Sequence, residues 1–172
     1  ISPVTGDGIA SNPFYDASAP RSAKSRVWAL GFRNPFRVSV KPGTGSTNPL
    51  TGDIGEVFVG DVGWNLWEEL NIVKAPGTNF GWPLYEGHTA QTGYTAFETQ
   101  NGDEPNTFGT CSGRANYRFK DLLRQDNSAG DKSVYNPGNA SQVIGTKNRY
   151  IHARPAIDWR HGQDVARVGK FN

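Results

Sequence analysis

Glycine or proline interrupts this chain every few residues, 21 and 11 times in 172 positions. That punctuation leaves little room for helices of ordinary length. It favours short strands, tight turns and long loops. The chain still has much to bury. Five Trp, nine Phe and six Tyr argue against disorder, and the length suffices for one domain with its own core. Net charge is +2, with acids and bases interspersed. No Lys/Arg run points to nucleic acid as a partner, and no apolar run approaches the length of a membrane span. The sequence opens at Ile1 and closes at Asn172 in mid-pattern, so further segments of the same protein are expected beyond both ends.

Hydrophobic alternation orders the first half. Residues 1–25, dense in Ser, Pro, Gly and Asp, read as loop. Residues 26–32 (RVWALGF) read as a strand. Residues 36–40 (FRVSV) read as a second, with Phe36, Val38 and Val40 alternating against Arg37 and Ser39. A turn-rich connection over 42–53 leads to strands at 56–60 (EVFVG) and 69–73 (ELNIV). Four consecutive antiparallel strands in so short a span make one sheet. Such a sheet resembles a blade of a β-propeller, or part of a β-sandwich. A lone blade cannot cover both its faces, so this chain is not expected to close a propeller by itself. No second copy of the 26–73 pattern is visible.

Residues 88–149 differ. They are polar, rich in Gly, Thr and Asn, and weakly periodic, which marks a long loop-rich excursion. Within it, 117–125 (YRFKDLLRQ) predicts one or two helical turns with Phe119, Leu122 and Leu123 on one face. Cys111 is the single cysteine. It reads either as a free thiol or as half of a disulfide with a partner elsewhere. Asn139-Ala140-Ser141 fits the N-glycosylation acceptor pattern. Residues 150–172 tighten again, with a strand expected near 156–159 on the way to a further blade.

Three stretches carry a resemblance. They are ALGFRNPFRVSV at 29–40, GEVFVGDVGWNLWEELNIV at 55–73 and GTNFGWPLYEG at 77–87. Their order and spacing resemble the soluble glucose/sorbosone dehydrogenases, a family that includes pyrroloquinoline quinone (PQQ)-dependent aldose sugar dehydrogenases and hedgehog-interacting-protein-like propellers. The resemblance covers residues 26–87. It implies an all-β fold, part of a six-bladed β-propeller of four-stranded antiparallel blades, with 88–149 as an irregular insertion. It also implies a ligand site at the mouth of the central channel.

The resemblance implies site residues as well. Arg33 and Asn34 match positions that lie against the quinone, whose carboxylates suit a planar guanidinium. Gly63 and Trp64 match a turn whose backbone carbonyls hold calcium beside the cofactor, and Asp61 is a further candidate calcium ligand. Quinone-using members carry Glu-x-Gly-Pro there, whereas this chain has Asp61-Val62-Gly63-Trp64. The general base of the enzymes belongs to an earlier blade and matches no residue here. Two functions follow. One is oxidation of an aldose at C1 to the lactone, with a sugar substrate and an electron acceptor. The other is a non-catalytic calcium-containing propeller that binds a glycan or a protein. Either predicts a periplasmic or secreted location.

Each candidate has a plainer role too. Arg33 could pair with a loop carboxylate, and Asp61 could bond backbone N–H groups of a turn. Glu68 and Glu69 are adjacent, so on a strand they face opposite sides and do not form a catalytic pair. Trp67 and Trp82 read as packing residues, and Trp64 as the indole placed to touch a sugar. His88, His152 and His161 share no metal-ligand spacing. The expectation for His161 is a loop histidine with one backbone hydrogen bond.

Overall fold

The computed structural model describes residues 1–105, 115–121, 123–124, 135–136, 139–143 and 150–168. Cys111 lies outside them. The chain is all-β. One antiparallel sheet dominates, made of β1 Pro35–Val40, β2 Val57–Asp61, β3 Trp67–Val73, β4 Ile157–Arg160 and β5 Ala166–Val168, in that spatial order. Helical structure among the described residues is limited to single turns at Lys24–Arg26, Pro49–Thr51, Thr92–Thr95 and Phe119–Asp121. No helix of the described residues is long and apolar enough to cross a membrane.

Burial alternates along β2 and β3 with the period-two geometry of a strand, whereas β1 is exposed along its whole length, Phe36, Val38 and Val40 included. Val57, Val59 and Asp61 are buried on β2, and Glu69, Asn71 and Val73 are buried on β3. The antiparallel register pairs Val57 with Val73, Val59 with Asn71 and Asp61 with Glu69. β4 sets Asp158 across from Glu69 on the other side. Paired residues share a face, so the buried face changes character along the strands. At one end it is apolar, where Val57, Val59, Val73 and Phe80 form the core under Trp28, Ala29, Phe32, Ile54 and Ala153. Phe32 stacks on Phe80 there, with ring centroids 4.8 Å apart. At the other end lies a row of three buried carboxylates, Asp61, Glu69 and Asp158.

Three expectations need correction. Residues 26–32 do not form a strand of the sheet. They cross its buried face, and Leu30 makes an isolated parallel bridge to Asn79. Gly31 explains this. Its φ is +81°, and a Cβ there would sit 2.2 Å from the Asn79 side chain and 2.6 Å from the Gly81 nitrogen, so the chain turns where a strand would continue. The place of the fourth strand is filled instead by β4, from beyond the excursion, and β5 follows in the same sheet. Thus the 156–159 strand exists, but it extends this sheet. Finally, the described part of 117–125 is helical only over the single Phe119–Asp121 turn, one of the one or two turns expected. Asn116–Arg118 is a strand paired with Gln100–Pro105, followed by the Phe119–Asp121 turn, which the Asp121 carboxylate holds by accepting the Arg118 backbone N–H at 3.0 Å. Leu122 and Gln125 lie outside the described residues.

Among the described residues, the rest of the excursion and its flanks contribute the Thr92–Thr95 turn and short two-stranded ladders. Tyr85–Glu86 pairs with Thr89–Ala90, Leu123–Arg124 runs parallel to Tyr150–Ile151, and Tyr135–Asn136 pairs with Asn139–Val143. The glycosylation-type tripeptide therefore falls within a strand.

Candidate ligand site

The carboxylates at the acidic end of the sheet hold loops in place by accepting backbone N–H groups. Asp61 takes the N–H of Arg33 at 2.9 Å on one oxygen and that of Asn34 at 2.6 Å on the other. Burial pushes its carboxyl up, against these hydrogen bonds. Asp158 accepts the His88 N–H at 3.0 Å and a two-pronged pair from Arg167, at 2.9 and 2.6 Å. Glu69 accepts from the Gly87 N–H and, at 2.9 Å, from Asn71 Nδ2. Glu68 points the other way, accepting from the Gly63 N–H at 3.0 Å and meeting His161 Nδ1 at 2.5 Å. The predicted opposite facing of Glu68 and Glu69 is thus observed, and His161 has a carboxylate partner as well as its backbone bond to Leu66.

The anchor with the most backbone donors is Glu86, only 1% exposed. Its Oε1 accepts four successive backbone N–H groups, from Trp64, Asn65, Leu66 and Trp67, at 2.7, 3.1, 2.9 and 3.1 Å. Its Oε2 accepts from Gln91 Nε2 at 2.6 Å. Converging N–H groups form an anion nest, and here the anion belongs to the protein. Burial pushes Glu86 up, but the four donors outweigh it and hold the carboxyl below the usual glutamate range. The loop closes this tightly because position 63 is glycine. A Cβ there would lie 1.9 Å from the Trp67 carbonyl oxygen and 2.6 Å from Glu86 Oε1.

Arg33 reaches across to that loop. Its Nη1 donates to the Gly63 carbonyl at 2.7 Å and to the Val62 carbonyl at 3.2 Å, while its guanidinium lies 5.8 Å from the centre of the Trp82 ring. The candidate residues Arg33, Asn34, Asp61, Gly63 and Trp64 therefore gather in one place, and part of what they do is bind each other. This bears on calcium. Both Asp61 oxygens already accept N–H groups, and the Gly63 carbonyl faces a guanidinium. A calcium ion on the Gly63 carbonyl would have to displace the Arg33 side chain that now holds it. Among the described residues, no group of three or more His, Cys, Asp or Glu is placed to hold a metal.

What the loop presents outward is aromatic. Trp64, 50% exposed, meets Trp82 edge-on at 6.1 Å and Tyr94 at 5.7 Å, and Trp82 meets Tyr94 at 5.3 Å. Trp67 is separate, lying beneath Arg167, whose guanidinium is 3.4 Å from its ring centre. The exposed Trp64 indole, with Trp82 and Tyr94 set at steep angles against it and an exposed arginine nearby, offers one flat apolar face beside hydrogen-bond donors. That combination suits the C–H face and hydroxyls of a sugar. Sequence reading missed Glu86 and Tyr94. Glu86 sits inside the GTNFGWPLYEG element, but its role depends on a loop some twenty residues away in sequence. Tyr94 lies in the aperiodic stretch, where nothing local distinguishes it.

The sequence profile of the Glucose / Sorbosone dehydrogenase family matches residues 3–112, well over half of the chain. The chain belongs to the glucose/sorbosone dehydrogenase family. Among curated proteins it is similar to the HIPL1 protein of Arabidopsis thaliana, 33% identical over 76 residues, covering 44% of this chain and 9% of that protein. It is also similar to the HIPL2 protein of the same plant, 36% identical over 78 residues, covering 45% of this chain and 9% of that protein. The match thus spans under a tenth of the length of either relative. No solved structure matches.

Proposed function

We propose that this chain supplies a saccharide-binding face of a glucose/sorbosone dehydrogenase-family propeller, and that the face binds without oxidising. The observation that carries this reading is the exposed Trp64 indole. It is set against Trp82 and Tyr94 on a loop clamped from behind by Glu86 and from the side by Arg33. Binding sites gain when such a platform is pre-organised. A glycan or protein partner and a secreted location are part of the proposal. The test is calorimetric titration of a panel of mono- and disaccharides into the full chain and its Trp64→Ala variant. At least one sugar should bind, and Trp64→Ala should weaken it at least tenfold, about 1.4 kcal/mol, without lowering the thermal midpoint. Equal affinity in the two proteins, or no sugar bound by either, would sink the proposal.

Family membership favours a second reading, oxidation of an aldose with PQQ and calcium. In it, Arg33 and Asn34 would face the quinone carboxylates, and the cofactor would supply the hydride acceptor. Titration of PQQ with calcium, and again with chelator, separates the two readings. Calcium-dependent binding lost in Arg33→Ala supports the enzyme. Saccharide binding that is indifferent to PQQ, calcium and chelator supports the binding face.

A further inference from the structure

A cleft of about 380 Å³ opens beside the aromatic platform, walled by Pro83, Leu84, Tyr94, Phe97 and Phe119, with Lys120 at its edge. Three features set what it can accept. Its lining is chiefly apolar, and Phe97 and Phe119 present rings that are 62% and 54% exposed. Its one cation is already matched, because Lys120 Nζ meets Glu98 at 2.5 Å and donates to the Thr95 carbonyl at 2.9 Å. The walls are also tied together. Glu98 bridges Lys120 to Arg118, and Arg118 grips Asp121 at 2.6 Å, so the 95–99 and 116–121 segments hold their spacing. A neutral, apolar group fits such a cleft, and a charged one has no counter-ion in it.

The cleft is not separate from the platform. Tyr94 belongs to both, touching Trp64 and Trp82 with its ring while forming one wall of the cleft. Pro83 follows Trp82 directly in the chain. A group attached to a sugar stacked on Trp64 therefore needs to span only the Tyr94 ring to reach the cleft. We infer that this is an aglycone subsite, and that the ligand of the face is a glycoside bearing an uncharged aryl or alkyl group. The inference rests on the saccharide reading and adds the half of the ligand that the platform does not touch.

Matched pairs of methyl and 4-nitrophenyl glycosides of several sugars, titrated into the full chain, test it. For a sugar that binds, the aryl glycoside should be roughly tenfold to hundredfold tighter than its methyl counterpart, as expected for burying one aromatic ring. Phe119→Ala and Phe97→Ala should remove most of that advantage and leave the methyl glycoside unchanged. Both side chains are exposed, so these variants should fold. Equal affinity of methyl and aryl glycosides overturns the subsite and leaves the saccharide reading intact. Binding of 4-nitrophenol alone as tightly as its glycoside also overturns it, because the cleft would then act independently of the platform. Failure of every glycoside in every sugar series defeats both the subsite and the saccharide reading.

Discussion

Replacing Glu86 by alanine should destabilise the protein by about 2–4 kcal/mol, because four part-buried loop N–H groups lose their shared acceptor and an unsatisfied donor costs about 1–3 kcal/mol when fully buried and less where water reaches it. The upper sum is not reached, since a released loop lets water in. Glu86→Gln should cost less, about 1–2 kcal/mol. It retains one oxygen for the four donors but turns the other into an amide that opposes Gln91 Nε2. Urea unfolding reads both values. An alanine variant within 1 kcal/mol of the parent would show that the nest does not hold the loop. Saccharide affinity should fall with Glu86→Gln even where the fold survives, because Trp64 rides on the anchored segment. Glu86 also sets an acid limit. Its folded-state pKa is depressed, so its contribution is present above the ordinary value of 4.5 and fades as pH falls below it.

Glu69 should give the opposite pH dependence. It lies in the middle of the buried acidic row, across from both Asp61 and Asp158. Burial pushes its carboxyl up to about 7, against the lowering effect of the Asn71 and Gly87 hydrogen bonds, and the charges of Asp61 and Asp158 push the same way as burial. Between the ordinary value of 4.5 and about 7 the folded state therefore holds a proton that the unfolded state has released. Stability falls as pH rises through that window, by on the order of 3 kcal/mol from this group alone. The charged and titratable neighbours in the row are Asp61, Asp158 and the Arg167 paired to it. Denaturant unfolding at several pH values, parent against Glu69→Gln, isolates the effect. The difference in stability between the two proteins should move in favour of the variant as pH rises from 5 to 8. A constant difference across that range would contradict the assignment.

The acidic row also shows why a metal site and a loop anchor are hard to tell apart from sequence. Clustered Asp and Glu beside glycines are what either function needs. What separates them is the direction of the neighbouring dipoles. Carbonyl oxygens converging on carboxylates leave room for a cation, whereas N–H groups converging on them already neutralise the charge. Around Asp61 and Glu86 the N–H groups converge. The carbonyls near the predicted site, of Val62 and Gly63, are both met by Arg33.

Local chemistry was enough to place β1, β2 and β3, because short β-branched and aromatic runs bounded by turn residues suit strands, but not to say which faces are buried: Phe36, Val38 and Val40 are exposed on β1, and Glu69 and Asn71 are buried on β3. Gly and Pro spacing was enough to anticipate that the described residues hold only single helical turns, and the ordered motifs at 29–40, 55–73 and 77–87 were enough to indicate the family whose profile matches residues 3–112. The tertiary structure decided the rest. It decided that residues 26–32 cover the sheet rather than join it, since Gly31 admits a left-handed turn against Asn79 that no strand pattern reveals. It decided that the strand beside β3 comes from 157–160, because pairing across a long excursion leaves no local trace. It also decided that Glu86, Tyr94 and Arg33 share one site. Their distances depend on how distant loops converge at one end of the sheet, and convergence is a property of the packed chain that no short stretch of residues encodes.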